Sequence, residues 1–313
     1  MLDVGLSFPL GFVNDMAKET RIAGALSVYK KPATLRMLFL GFSSGLPLLL
    51  VLGTLGFWLC ESGVDLKTIG FMSWVGLCWG MKWLWAPLVD RLQLPYLTRT
   101  FGRRRAWLLL AQIGLMSSLG ALAFVNPARE LALTGFLAGA TAFFGATQDI
   151  AIDAYRIESG TEKEQAAFAA AYQTGYRIAM IWAGAGALAI AGAFESSLRG
   201  GWHVAYLTMS ASMLVGLITT LVSPTEPARG VAGSARSFSQ WIYEAACLPF
   251  KDFFTRFGWW AFVVLALIAT YRISDVVMGV MANPFYADLG FTKEEVAAVS
   301  KVFGLVMTLF GAF

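Results

Sequence analysis

Two stretches of this chain, Ala106–Val125 and His203–Val222, each run for twenty residues without an Asp, Glu, Lys or Arg. A helix of ~20 residues is ~30 Å long, the thickness of a bilayer's hydrocarbon core. No water reaches the backbone there, so each amide must bond within its own segment, and an unbroken apolar run of this length becomes a helix. The rest of the chain agrees. Hydrophobic residues make up 57% and charged residues 14% of the 313, and mean hydropathy is +0.63. A soluble domain carries ~25% charged residues. The class is therefore an all-α polytopic membrane protein.

Composition also narrows the chemistry. Cys60, Cys78 and Cys247 are far apart, and His203 is the one histidine. These fit neither a metal site nor a disulfide framework, and no cofactor is expected. The net charge of +4 follows from membrane topology and does not indicate a nucleic-acid partner. No Ser–His pair or soluble domain is present to make an enzyme.

The spans follow in order. Residues 1–34 form an N-terminal segment in which Met1 and Met16 both head start-like sequences, and Ile22–Lys31 suits a short surface helix. Span one, Leu35–Leu59, carries Gly41, Gly45, Gly53, Gly56 and Pro47. Its glycines permit either close packing or a hinge. Span two, Thr68–Val89, holds Lys82 among Trp79, Trp83 and Trp85. Span three is Ala106–Val125, span four Leu131–Tyr155, span five Ala166–Ala193 and span six His203–Val222. A polar segment containing the aromatic stretch Phe238–Phe254, a possible amphipathic surface helix, leads to span seven near Gly258–Ala282. Span eight begins near Lys293 and is cut at Phe313. The domains expected are thus 1–34, a six-helix bundle over 35–223, a linker over 224–257, and the opening of a second bundle over 258–313.

Orientation comes from the basic residues. Of 24 Lys and Arg, sixteen lie before span one or at its start (Arg36) and in loops two–three, four–five and six–seven, against four in the opposite loops. The positive-inside rule then puts the N-terminus in the cytoplasm.

Charges inside the spans mark function, because an ionisable group in hydrocarbon costs several kcal/mol unless it meets a partner or a cavity. Thr141–Glu158, TAFFGATQDIAIDAYRIE, starts apolar and ends charged. Asp149, Asp153 and Arg156 recur at i, i+4 and i+7, which places them on one helix face. Span seven carries Arg272 and Asp275. Spans two, five and eight carry Lys82, Arg177 and Lys301, and spans three and six carry none. That is a period of three helices, as repeated three-helix units give when the third helix of each faces lipid. Six spans, a long loop and the start of a second half form the layout of a major facilitator transporter, truncated here in the eighth span. The loop after span two adds Asp90-Arg91 and then Gly102-Arg103-Arg104 with Arg105, similar to the facilitator loop motif with about ten extra residues between its halves.

Five stretches in order resemble the AmpG family of muropeptide permeases. They are GFSSGLPLLL (Gly41–Leu50), MKWLWAPLVDR (Met81–Arg91), GRRRAWLLLAQ (Gly102–Gln112), GATQDIAIDAYR (Gly145–Arg156) and the region Tyr271–Gly290 with YRISD and NPFYADLGF. A related acetyl-coenzyme A carrier family shares parts of this pattern. The resemblance implies a monomeric bacterial inner-membrane importer of N-acetylglucosaminyl-anhydromuramyl peptides driven by protons. Such a substrate carries carboxylates, so Lys82, Arg177, Arg272 and Lys301 become candidate binding cations. Gln148 suits a sugar amide. Trp79, Trp83 and Trp85 serve either as interface anchors or as surfaces for sugar faces. Asp149, then Asp153 and Asp275, are candidate proton carriers, with a permanent ion pair as the other role open to each. Arg177 or Lys82 is the expected partner of Asp149. The alternatives are a carrier for another anionic solute, such as an acyl-coenzyme A, or a membrane signal receptor.

Overall fold

A computed structural model describes residues 31–196, 200–225, 248–290 and 295. The surface helix expected before Lys31, most of the six–seven segment and span eight lie outside these residues. Regular structure among the described residues is helical throughout: α1 (Pro32–Glu61), α2 (Leu66–Met72), α3 (Leu77–Met81), α4 (Ala86–Arg91), α5 (Leu97–Phe101), α6 (Arg103–Leu122) and α7 (Leu131–Glu158) come first. Next come α8 (Glu162–Ile181, continued by Trp182–Gly186 and Ala187–Ala193), α9 (Gly201–Val222), α10 (Leu248–Phe257) and α11 (Trp260–Asp288). Five helices are long and apolar enough to cross a membrane: α1, α6, α7, α8 and α9. Lys251–Phe257 and Trp260–Tyr271 pass the same test only as a pair and meet at 112°, the geometry of a broken span or of a re-entrant loop. Gly258 stands at that bend with φ +53°, a backbone region that L side chains rarely adopt.

Span two is not the continuous helix expected. It runs as α2, a 3-10 turn at Ser73–Gly76, α3, a second 3-10 turn at Lys82–Leu84, and α4. Gly70, Gly76 and Gly80 weaken the helix, and Pro87 cannot donate to the preceding turn. Its start is well defined. Asp65 caps α2 by accepting from the Thr68 amide at 2.9 Å and the Thr68 hydroxyl at 2.7 Å. Those bonds hold the Asp65 carboxyl below the usual carboxylate range.

The bundle is organised around α1, which packs along α8 at backbone contact. A Cβ on Gly41 would lie 2.1 Å from the Tyr172 carbonyl oxygen, and one on Gly175 would lie 1.9 Å from that of Leu38. Only hydrogen fits at these positions, which is how small residues hold membrane helices together. Further along, both helices widen into π turns, at Leu50–Thr54 in α1 and at Trp182–Gly186 in α8. The Thr54 hydroxyl donates to the Ala183 carbonyl at 2.7 Å, and Tyr206 of α9 donates to the Leu50 carbonyl at 3.1 Å.

Apolar side chains gather in two clusters. One contains Leu46, Leu50, Leu115, Leu119, Ala183, Tyr206 and Met209. The other contains Met37, Leu40, Leu108, Ile150, Tyr155, Phe168 and Ala171. In α1, α6, α7 and α8 the polar residues of the buried faces fall between the two sets: Ser43 and Ser44, Gln112, Gln148 and Asp149, Tyr172 and Tyr176. The bundle thus carries a polar layer between two apolar ones. Span three does not simply face lipid, as its lack of charge suggested. More of α6 is buried in the bundle than of α7, α8 or α9, because its small and apolar residues pack against α7. It turns Leu110 and Ile113 outward.

Candidate functional site

The polar layer opens on the face of α7 that the i, i+4, i+7 spacing picked out. Asp149 is the deepest of the three, 8% exposed. It accepts a hydrogen bond from the Ser44 hydroxyl of α1. Ser44 in turn lies 2.7 Å from the Tyr172 hydroxyl of α8. One turn further along α7, the Asp153 side chain is 44% exposed and sits between two cations, 3.8 Å from Lys82 Nζ and 3.6 Å from Arg156. These are loose pairs in a partly open site, each worth ~0–1 kcal/mol, so a ligand carboxylate could compete for the cations. The Arg156 guanidinium lies 5.8 Å from the centre of the Tyr172 ring, and its buried Nε–H has no hydrogen-bond partner.

The pairing differs from the sequence expectation. Lys82 meets Asp153 rather than Asp149, and the deep carboxyl accepts from the Ser44 hydroxyl and the Trp79 side chain rather than pairing with a cation. The break in span two is the reason. Lys82 starts a 3-10 turn and reaches the more exposed acid, while close packing of α1 puts Ser44 against the buried one. Arg177 is half-buried on α8, with Met180 Sδ at 4.0 Å as its polar contact. Gln148 is fully buried, facing α1, where its Oε1 accepts from Ser43 at 3.4 Å and its Nε2 has no partner. It is therefore closed off from a sugar amide in this conformation. Trp85 donates to Thr147 at 3.1 Å, tying span two to α7. Arg272 and Asp275 lie on α11, but their side chains, like all of Lys301, fall outside the description.

The loop motif forms a clamp at one end of the bundle. Gly102 precedes α6 with φ +85°, a conformation open to glycine, and this turns the following arginines inward. Arg104 bonds Asp90 at 2.6 Å and Glu158, the last residue of α7, at 2.8 and 3.2 Å. Arg105 donates to the carbonyls of Thr220 and Leu221, at 2.9 and 2.7 Å, where α9 ends. Loop two–three thus ties the ends of spans two, four and six. Of Arg91 only the backbone is described, and Arg103 forms none of these bonds.

At the opposite end, a cavity of about 410 Å³ is lined by Trp58, Asn126, Trp202 and His203 among others. None of the predicted site residues lines it.

Sequence reasoning missed Ser44, Tyr172, Tyr176, Gln112 and Glu158. Ser44 and Gln112 stood inside the quoted GFSSGLPLLL and GRRRAWLLLAQ stretches, and Tyr172, Tyr176 and Arg177 sit within five residues of each other.

Five membrane-length helices and the broken span two, tied at one end by loop two–three, have the fold of the major facilitator type. The crystal structure of a D-xylose–proton symporter has the same fold, with a TM-score of 0.57 at 15% identity over 88% of this chain and 67% of that one. A family profile described as Acetyl-coenzyme A transporter 1 matches residues 34–128. Transporter AmpG 4 of Rickettsia felis is 34% identical over 91% of this chain and 67% of its own length. Anhydromuropeptide permease of Escherichia coli K12 is 37% identical over 92% of this chain and 55% of its own. The chain belongs to the AmpG family of transporters. It spans about half the length of the Escherichia coli relative.

Proposed function

We propose that the chain belongs to a bacterial inner-membrane secondary transporter that imports N-acetylglucosaminyl-anhydromuramyl peptides with protons. The observation that carries this reading is the graded strip on α7. A buried carboxyl, Asp149, sits one turn from an exposed carboxyl shared by Lys82 and Arg156. Intramembrane acids and bases cluster where ions and substrates pass. Cations held loosely by Asp153 suit the carboxylates of a muropeptide, and Arg177 adds a guanidinium that forms no ion pair among the described residues. Asp149 is the proton carrier in this reading, Asp153 its exposed neighbour, and Asp275, Arg272 and Lys301 belong to the facing half. Residues 35–223 form the first six-helix half, and the basic loops, with the Asp90–Arg104–Glu158 clamp, face the cytoplasm. The substrate assignment draws on the relatives named as anhydromuropeptide permeases.

The test is uptake of labelled anhydromuropeptide into proteoliposomes that hold the full-length protein, with and without an inward proton gradient. Accumulation that collapses with an uncoupler is the expected result. The profile match over residues 34–128 favours a second reading, a carrier of acyl-coenzyme A, so acetyl-coenzyme A is run as a competing substrate. Uptake of it in place of the glycopeptide would overturn the first reading.

A further inference from the structure

We propose that Ser44 and Tyr172 form a two-hydroxyl relay through which the protonation of Asp149 sets whether Tyr172 can donate a hydrogen bond to a carboxylate or amide oxygen of the substrate. The inference rests on the proton-symport reading and names the positioning residues that would link proton to substrate.

The argument counts hydrogens. Ser44 has one hydroxyl hydrogen and contacts two groups, the Asp149 carboxyl and the Tyr172 hydroxyl. Tyr172 also has one. An ionised carboxylate only accepts. With Asp149 ionised, Ser44 must give its hydrogen to Asp149, and at 2.7 Å Tyr172 must then donate to Ser44. The Tyr172 hydrogen is spent inside the bundle. With Asp149 protonated, its own hydroxyl can donate to Ser44. Ser44 then turns its hydrogen to Tyr172, whose hydrogen is released outward. No bond is broken beyond the uptake of one proton by Asp149, and the other two steps are rotations of hydroxyls.

The geometry gives that released hydrogen a destination. Arg156 lies against the Tyr172 ring, 5.8 Å from its centre, and its Nε–H is buried without a partner. The guanidinium over the Tyr172 ring brings a charged donor to the same residue, and an acceptor oxygen that takes both hydrogens would be held more strongly than by the phenol alone. The relay itself is enclosed. Ser44 is 1% exposed, and the near-contact of α1 and α8 backbones at Gly41 and Gly175 keeps the two hydroxyls in register. The charged and titratable groups around Asp149 and Tyr172 are Asp153 and Arg156 on α7, Lys82 on span two, and Tyr176 and Arg177 on α8. From α1 the uncharged Ser44 faces it, and from span two the Trp79 side chain donates to Asp149.

Binding of labelled anhydromuropeptide to the purified full-length protein, followed across pH, tests the relay. Wild type should bind more tightly as pH falls. Tyr172→Phe removes the donor and should weaken low-pH binding about 10-fold, the cost of one hydrogen bond to a charged group, and flatten the pH profile. Ser44→Ala disconnects the relay and leaves the Tyr172 hydrogen free at every pH, so binding should stay tight and lose its pH dependence. Asp149→Asn, whose amide donates permanently, should do the same. Size-exclusion profiles confirm that each variant is folded, and if Ser44→Ala is not, Tyr172→Phe carries the test alone. A wild-type pH slope in Tyr172→Phe or in folded Ser44→Ala overturns the relay while leaving the transporter reading intact. No binding by wild type at any pH overturns both.

Discussion

Arg104 holds two carboxylates at once, and they differ. Asp90 has an exposed side chain, whereas that of Glu158 is only 12% exposed. Removing the guanidinium therefore strands mainly Glu158. Arg104→Ala should destabilise the protein by about 3–5 kcal/mol, the cost of breaking a buried pair from one side. Arg104→Ala with Glu158→Gln should recover much of it, and thermal unfolding in detergent measures both. Arg177 presents the opposite case, since its recorded polar contact is a thioether. Arg177→Ala should leave abundance in the membrane unchanged while reducing uptake 10-fold or more, as loss of a charged hydrogen bond of ~1.5–3 kcal/mol implies. Arg177→Lys should restore only part, because an ammonium cannot grip a carboxylate with two parallel bonds. Normal uptake by Arg177→Ala would remove it from the substrate path.

Among the elements, the α1–α8 pair is the most demanding. A side chain at Gly175 would meet the Leu38 carbonyl, whereas nothing lies within 4 Å of a Cβ at Gly139 on α7. Gly175→Val should cost ~1–3 kcal/mol or more through overpacking, while Gly139→Ala should stabilise by ~0.5–1 kcal/mol through helix propensity. Comparing the two melting temperatures separates close packing from a general effect of losing glycine. The α7 face was legible in the sequence because a 3.6-residue period and three charges suffice to define it. The Ser44–Tyr172 contact was not, because hydroxyls are ordinary in membrane helices and this pair is brought together across 128 residues by helix packing. The broken course of span two was illegible for a related reason. Hydrophobicity marks that a segment crosses the bilayer, but Gly70, Gly76, Gly80 and Pro87 together decide whether its hydrogen bonds remain α-helical. The loop motif was read correctly as a charged turn, yet its anchor Glu158 stands at the far end of another helix.

At the scale of the whole molecule, loops one–two, three–four and five–six share one end and the arginine clamp holds the other. In a version with its native cysteines replaced by serine, Ser196→Cys should react with a membrane-impermeant thiol reagent in intact cells, and Thr100→Cys should not. The reverse pattern would overturn the proposed orientation. The paired π turns carry a mechanical consequence. A π turn is where a helix bends most readily, and here the two soft points, Leu50–Thr54 and Trp182–Gly186, are bolted together by the Thr54–Ala183 bond. Flexing either helix alone would leave the buried Thr54 hydroxyl without its partner, at ~1–3 kcal/mol. The cheaper movement is for both to pivot about the line joining them, so that the half bearing Ser44 and Tyr172 swings as a single lever arm against the half bearing Trp58 and Leu188.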